Sequence, residues 1–128
     1  MAYISVAIGL VKHQGRVLIC QREKGSHLAG FWEFPGGKCR AGEPLEACLR
    51  RELKEELGIT IGPAARFWQG RHAYADRTVW LTAFRCRLVR GKPYARAASE
   101  IRWVRPEDLD QYAFPPANEP LLQRIYMV

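Results

Sequence analysis

The chain has 128 residues, of which 48% are hydrophobic and 26% charged, and this composition is typical of one compact globular domain over residues 1–128. It contains no internal repeat or low-complexity tract, and its N-terminal apolar run is too short to cross a bilayer. The formal charge of +7 favours anionic partners such as nucleotides, nucleic acid or membrane surfaces, although the basic residues are scattered along the chain.

The four cysteines are Cys20, Cys39, Cys48 and Cys86. They are widely spaced and form no CxxC pair, so neither a zinc site nor a disulfide framework is predicted. The N-terminal segment carries no basic leader and no small-residue cleavage site, so it is not predicted to be a secretory signal. We therefore expect reduced thiols in a cytoplasmic protein.

The first half of the chain predicts a hairpin followed by a helix. Residues 2–11 and 16–22 are rich in β-branched and apolar side chains and are separated by a glycine-containing turn, which is typical of two paired strands. After a glycine-rich segment, residues 44–57 predict a helix, with Pro44 in its first turn and Gly58 as its C-terminal cap.

The second half predicts mainly strands. The predicted elements are strands at 64–72 and 77–90, a loop at 91–100, a short strand at 101–104, a helical turn at 106–109 and a helix at 118–126. In the second strand, Arg85 and Arg87 alternate with Phe84, Cys86 and Leu88. Strands interrupted by two helices predict an α/β fold of the α+β type, with a mixed sheet flanked by helices.

The helix predicted at 44–57 carries acidic residues within and beside its apolar face, whereas charged residues of a surface helix normally lie on the opposite, solvated face. At about 100° per residue, the leucines at 45, 49, 53 and 57 form one continuous apolar stripe. Glu56 falls inside this stripe, and Glu52 and Glu55 lie along its margin. Three like charges at this spacing destabilise a helix unless a cation offsets them.

A magnesium ion is the cation that this cluster favours, because carboxylates without histidine or cysteine ligands suit Mg²⁺ better than zinc. Arg51 could pair with one carboxylate and orient it. The alternative is a solvated patch of glutamates neutralised by Arg50, Arg51 and Lys54, and a bare cluster of this kind favours that alternative.

The segment GKCRAGEPLEACLRRELKEELGI, from Gly37 to Ile59, fills every fixed position of the Nudix box. The match includes the spacers of five and seven residues between Gly37, Glu43 and Arg51. The chain therefore resembles the Nudix hydrolases.

Three further pieces are similar to the MutT branch, whose members hydrolyse oxidised purine nucleoside triphosphates: WEFPGGK before the box, Asp76-Arg77, and FPPANEP near the C-terminus. The resemblance covers almost the whole chain and implies the Nudix fold, an αβα sandwich with a mixed β-sheet.

The resemblance also implies a reaction and the residues that perform it. Water attacks the β-phosphorus of a nucleoside triphosphate such as 8-oxo-dGTP, and a nucleoside monophosphate and pyrophosphate leave. Mg²⁺, for which Mn²⁺ can substitute, is held by Glu52 and Glu56 with help from Glu55 and the backbone carbonyl of Gly36. The implied catalytic residues are Glu52, Arg51 and Glu55. The implied substrate-binding residues are Arg22, His27, Glu33, Phe34, Pro35, Gly36, Arg77 and Asn118.

One position departs from the family pattern. The family places a glutamate in the loop at 91–100, and an ungapped comparison puts Ala97 there. Glu100 is the nearest acid and could supply the carboxylate if the loop is shifted. Otherwise Glu52 must act as general base as well as metal ligand.

Several alternatives remain within the resemblance and outside it. Within the family, the substrate could be CTP or dCTP, a dinucleoside polyphosphate or a triphosphorylated RNA 5′ end. The basic charge favours RNA, but the short chain leaves little room for an RNA-binding extension, and Asn118 indicates a purine pocket. A nucleotide-binding module without catalysis disagrees with the intact box. We therefore expect a small-molecule nucleoside triphosphate as partner, no stable nucleic-acid or membrane partner, and a monomer or homodimer.

Overall fold

The computed structural model describes residues 2–96 and 98–126, which form a mixed sheet with helices on both faces. The strands are β1 (Ala2–His13), β2 (Arg16–Gln21), β3 (Trp32–Glu33), β4 (Gly36–Lys38), β5 (Thr60–Ile61), β6 (Ala65–Ala73), β7 (Arg77–Arg90) and β8 (Glu100–Val104). The helices are α1 (Leu45–Leu57) and α2 (Glu119–Tyr126), and short 3₁₀ turns cover Pro106–Gln111 and Pro116–Asn118. None of these helices is long and apolar enough to span a membrane.

The centre of the sheet is the parallel pair β1 and β7, in register from Ala2 opposite Arg77 to Lys12 opposite Arg87. Parallel strands need a long crossover, and the chain from β2 to β6, including α1, supplies it. The remaining strand pairs are antiparallel. The other edge of β1 is shared by β4 and β2, and the other edge of β7 is shared by β6 and β5.

Alternation along β1 separates two apolar layers. Ala7 and Val11 pack with the buried face of α1, whose Cys48, Leu49, Leu53 and Leu57 are all buried. Ile8 and Leu10 point to the opposite face and pack with a second cluster that includes Leu109 and the α2 residues Leu121 and Leu122. The predicted αβα sandwich with a mixed sheet is confirmed, as is the apolar stripe of α1.

The ends of α1 agree with the sequence to within one residue. Pro44 precedes the helix instead of lying in its first turn. Gly58 ends it in the left-handed conformation, with φ 71°, and its N–H donates to the carbonyl of Lys54 at 3.1 Å. Glycine adopts this conformation without a steric penalty, which is why the predicted cap is confirmed.

The glycine-rich segment contains two strands that the sequence did not predict, Trp32–Glu33 and Gly36–Lys38, and Thr60–Ile61 is a third. Strands of two or three residues show no periodicity, so only their pairing with longer strands defines them. The last helix begins at Glu119 and not at Asn118, because Pro116–Asn118 form a 3₁₀ turn.

The prediction of four reduced thiols is wrong for one pair, because Cys39 and Cys48 form a disulfide. Cys39 follows β4, Cys48 lies in α1, and β4 packs against α1, which brings their Cα atoms to 5.2 Å. That separation is normal for a disulfide. Cys20 and Cys86 are free and buried.

The disulfide should stabilise the oxidised protein. It closes a loop with a sequence separation of 9. By restricting the unfolded chain, a cross-link over such a loop raises the free energy of unfolding by about 2–3 kcal/mol. We expect a reductant to lower the free energy of unfolding of the oxidised protein by up to this amount, measured by urea titration. Cys39→Ser is the control and should not respond to reductant. A titration that finds four free thiols in unfolded, untreated protein would contradict the expectation.

Candidate active site

One cavity of about 1060 Å³ runs across the sheet on the side of α2. Its floor is the face of β1, β7 and β6, and its walls are the loop after β2, the strand β4 and the segment at 115–120. β4 and β6 are separated by β1 and β7, hence by three strand spacings or about 14 Å. The cavity therefore has a β4 end and a β6 end.

Two carboxylates of α1 enter the β4 end. Glu52 lies directly against the backbone of Gly37, where a Cβ atom would stand only 2.5 Å from the Glu52 carboxyl carbon. Only glycine allows this approach. Glu56 lies one helical turn further on, and burial together with the nearby Glu52 charge raises its pKa to about 8. In metal-free protein at neutral pH, Glu56 is therefore mostly protonated.

Arg51 neutralises part of this charge from behind the cavity. Its guanidinium donates to both carboxylate oxygens of Glu43 at 2.9 and 3.0 Å and to Glu52 at 2.9 Å. Nη2, which donates to Glu43, also donates to the carbonyl of Lys38 at 3.1 Å. The hydrogen bonds from Arg51 lower the pKa of Glu43 to about 2. Arg51 thus pairs with a carboxylate, as its position beside Glu52 suggested.

The solvated-patch alternative fits only part of the cluster. Glu55 has a side chain 55% exposed, lies 3.4 Å from Arg51 and does not line the cavity. Arg50 turns away, to Glu46 and to the carbonyls of Ile61 and Gly62. The side chain of Glu52, in contrast, is only 13% exposed. Glu55 belongs to the surface, and Glu52 and Glu56 belong to the cavity.

The β4 end suits a hard divalent cation. Glu52, Glu56 and Gly36 line it together and offer carboxylate and carbonyl oxygens, the donors that Mg²⁺ and Mn²⁺ accept. Burial and the like charge of Glu52 raise the pKa of Glu56, and a cation would offset both effects. The residues present therefore fit a metal ion. Gly36 itself must be glycine, because a Cβ there would collide with the Ala7 carbonyl.

An ion pair between Arg22 and Glu33 also lines the cavity. The Arg22 side chain donates to both oxygens of Glu33, at 2.8 and 3.0 Å, and to the carbonyl of His27 at 2.6 Å. Burial raises the pKa of Glu33, and the Arg22 charge offsets part of that effect. The arrangement holds a guanidinium at the cavity wall beside the loop that contains His27.

The remaining predicted substrate-binding residues also line the cavity. Phe34 is 2% exposed and stacks on Phe114, with ring centroids 5.1 Å apart. Asn118 is buried and ends the 3₁₀ turn just before α2. Arg77 lies over the Tyr74 ring, and its Nε is buried with no hydrogen-bond partner among the described residues. The eight predicted substrate-binding residues, from Arg22 to Asn118, are therefore brought together in one place.

Several lining residues were not predicted. The ring of Tyr74 contacts His72, with centroids 4.6 Å apart, and His27 across the cavity mouth at 6.3 Å. Trp68 and Gly70 complete this side of the cavity. Arg71 is a fifth lining residue here. Trp68, Gly70, His72 and Tyr74 are spaced by two, so strand alternation could have placed these four on one face.

The structure does not bring Glu100 to the cavity. Its carboxylate is paired with Arg102, and its side chain is 44% exposed at the start of β8. Ala97, the residue at the family's glutamate position, lies outside the described residues. Neither residue therefore places an additional carboxylate beside Glu52.

Comparisons with known proteins agree with this geometry. The model of the NUDIX domain family matches residues 6–124. The chain is 36% identical to an 8-oxo-dGTP diphosphatase of Haemophilus influenzae, covering 95% of this chain and 90% of that protein. It is 33% identical to a CTP pyrophosphohydrolase of Escherichia coli, covering 96% and 91%. The crystal structure of the MutT protein from Methanosarcina mazei superposes with a TM-score of 0.86 at 27% identity, covering 98% and 94%.

The raised pKa of Glu56 makes the stability of metal-free protein depend on pH. Between the ordinary value of 4.5 and about 8, the folded state holds a proton that the unfolded state has lost. Stability must therefore fall as pH rises through this window. We expect urea unfolding in EDTA to show the fall, Glu56→Gln to lose most of it, and Glu55→Gln to retain it. If the free energy of unfolding changed with pH equally in the native protein and in Glu56→Gln, the raised pKa of Glu56 would be excluded.

Proposed function

Because the chain belongs to the Nudix family of hydrolases, we propose that it cleaves a nucleoside triphosphate to a nucleoside monophosphate and pyrophosphate, with 8-oxo-dGTP as preferred substrate. The observation that carries the proposal is that one cavity contains a half-buried carboxylate pair, Glu52 and Glu56, at one end and the buried amide of Asn118 among aromatic rings. The carboxylate pair suits the metal ion that a triphosphate needs, and the amide among aromatic rings suits a purine base.

The metal-binding residues in this proposal are Glu52 and Glu56 with the carbonyl of Gly36, holding Mg²⁺, for which Mn²⁺ substitutes. When bound, the cation supplies neutralisation of phosphate oxygens and a more acidic water. The sequence also assigned Glu55 to metal binding and catalysis, but its side chain is 55% exposed and does not line the cavity. We therefore propose that Glu55 supports the site through Arg51, 3.4 Å away. Arg51 holds the Glu52 carboxylate in place by the 2.9 Å hydrogen bond.

Glu52 is the residue that we propose as general base. Glu100 is paired with Arg102 away from the cavity, so Glu52 is left to accept a proton from the attacking water. Arg22 places a cation at the cavity wall, and we propose that it contacts the phosphates. Attack at the β-phosphorus then releases the nucleoside monophosphate toward the β6 end.

Base recognition is assigned to Asn118, with Arg77, Phe34, Pro35 and His27 around it. The amide offers one acceptor and two donors at a buried position. Oxidation of guanine turns N7 from an acceptor into a donor, so a buried acceptor opposite it is satisfied only by the oxidised base. Leaving such a group unpaired costs about 1–3 kcal/mol.

A pyrimidine triphosphate is the second candidate substrate. It is supported by the relative named CTP pyrophosphohydrolase, which is nearly as similar as the 8-oxo-dGTP diphosphatase. The two candidates share the metal site and differ only at the β6 end. Dinucleoside polyphosphates and RNA 5′ ends lack a comparable observation, and a non-catalytic module would have no use for a carboxylate cluster that destabilises its helix.

We also propose that residues 1–128 act as a single domain, as a monomer or homodimer, without a stable nucleic-acid or membrane partner. Glu52, Glu56 and Asn118 line one cavity, which suits action on a small nucleotide. We propose a cytoplasmic location; in that reducing compartment the Cys39–Cys48 disulfide of the structure would form only when the protein is oxidised.

Glu56→Gln should abolish most hydrolysis while leaving the fold intact. Losing a metal ligand removes several kcal/mol of transition-state stabilisation, so we expect turnover to fall by at least about 100-fold. The measurement is pyrophosphate release at saturating Mg²⁺, with circular dichroism for the fold. Glu46→Gln is the matched control, because Glu46 lies exposed on the same helix. Near-native turnover of Glu56→Gln would remove this residue from the metal site.

The native protein should prefer 8-oxo-dGTP to dGTP, and Asn118→Ala should reduce that preference by about tenfold or more, the size of one unpaired buried group. The measurement is the ratio of kcat/KM values for the two nucleotides, with CTP and dCTP in the same panel. A native ratio near one excludes the oxidised-purine assignment. A clear preference for CTP or dCTP establishes the second candidate instead.

A further inference from the structure

Trp68 faces the cavity because of an irregularity in β6. The register with β7 pairs Arg66 with Phe84 and Trp68 with Ala83, so Phe67 is an extra residue in the strand. One extra residue reverses the alternation of side chains that follow it. Phe84 packs on the α1 side and Ala83 on the α2 side. If Phe67 were paired regularly with Ala83, Trp68 would lie opposite Thr82 and would point toward the α1 side, away from the cavity.

Gly70 creates the space in which the Trp68 indole lies. The two rows of registered residues that cross the sheet here are Ile8–Ala83–Trp68 and Val6–Leu81–Gly70. The second row ends without a side chain. A Cβ on Gly70 would collide with Cη2 and Cζ2 of the Trp68 ring. The six-membered ring of the indole therefore occupies the place of the missing side chain and covers the β6 end of the floor.

Trp68 lies at the end of the cavity that we assign to the nucleobase, and not at the end that we assign to the phosphates. β6 lies three strand spacings, about 14 Å, from the strand that contacts Glu52. α2 packs against β6, and Asn118 immediately precedes α2. Trp68 is partly buried against the cluster that contains Phe34 and Leu121. The indole thus lies on the side of the cavity where the buried amide is.

We propose that Trp68, seated over Gly70, is a specificity-determining residue that contacts the nucleobase and favours the larger surface of a purine. The inference rests on the proposed nucleotide hydrolysis and adds a recognition element to it. Base stacking on an aromatic side chain tolerates any base, but it is stronger for a wider ring system. Asn118 then selects the hydrogen-bonding edge, and Trp68 selects the ring size.

The test is binding of reaction products to Trp68→Leu, with Trp80→Leu as matched control. In β7, Trp80 alternates with Val79 and Leu81, which line the cavity, so Trp80 lies on the opposite face of the sheet, and it is 37% exposed. We expect Trp68→Leu to raise the Kd of 8-oxo-dGMP and dGMP by about tenfold, the size of one base–aromatic contact. The Kd of dCMP should rise less, and that of pyrophosphate with Mg²⁺ should not change. Steady-state KM should rise with little change in kcat.

Two further variants keep the inference testable if Trp68→Leu does not fold. Trp68→Phe should remove the change in tryptophan emission that 8-oxo-dGMP causes in the native protein. Gly70→Ala should displace the indole and reproduce the loss of purine affinity, with no added effect when combined with Trp68→Phe. Native-like purine affinity of the Trp68 variants, or an equal loss for pyrophosphate, would overturn the inference. Native protein that binds 8-oxo-dGMP through Trp68 but hydrolyses no triphosphate would overturn the proposed function instead.

Discussion

The Arg51 guanidinium is the charge that allows the carboxylate pair to exist. It joins β4, the loop that follows it and α1 by bonding to Lys38, Glu43 and Glu52. Its side chain is only 18% exposed, so these charge-assisted bonds are weakly screened by water. Because Arg51 approaches from behind, it stabilises Glu52 without filling the cavity. Glu52 and Glu56 can therefore face the cavity side by side on a helix that like charges would otherwise destabilise.

The parallel pairing of β1 with β7 joins the two halves of the cavity. β1 has β4 on its other edge, and β7 has β6 on its other edge. The carboxylate pair and the aromatic rings are therefore held at a separation set by strand spacing and not by flexible loops. A site built on regular strands in this way has little freedom to change that separation.

Three glycines allow the close approaches on which the cavity depends. Gly36 passes against the carbonyl of Ala7, Gly37 against the Glu52 carboxylate, and Gly70 beneath the Trp68 ring. At each position, the space that a Cβ atom would fill is occupied by a backbone carbonyl or by the side chain of another residue. The first two lie at the β4 end and the third at the β6 end, so the same device shapes both ends of the cavity.

Features that depend on neighbouring residues could be predicted from the sequence: the hairpin, the apolar stripe of α1, its end at Gly58 and the motif that brings Glu52 and Glu56 to one site. Helical and strand periodicity act over a few residues, so a single chain reveals them. Contacts between segments that are apart in the chain became visible in the folded structure alone. It paired Cys39 with Cys48, paired β8 with β2 so that Glu100 lies outside the cavity, and placed Trp68 in the cavity through one extra residue in β6. These outcomes depend on strand register and on helix packing, which no local pattern in the sequence specifies.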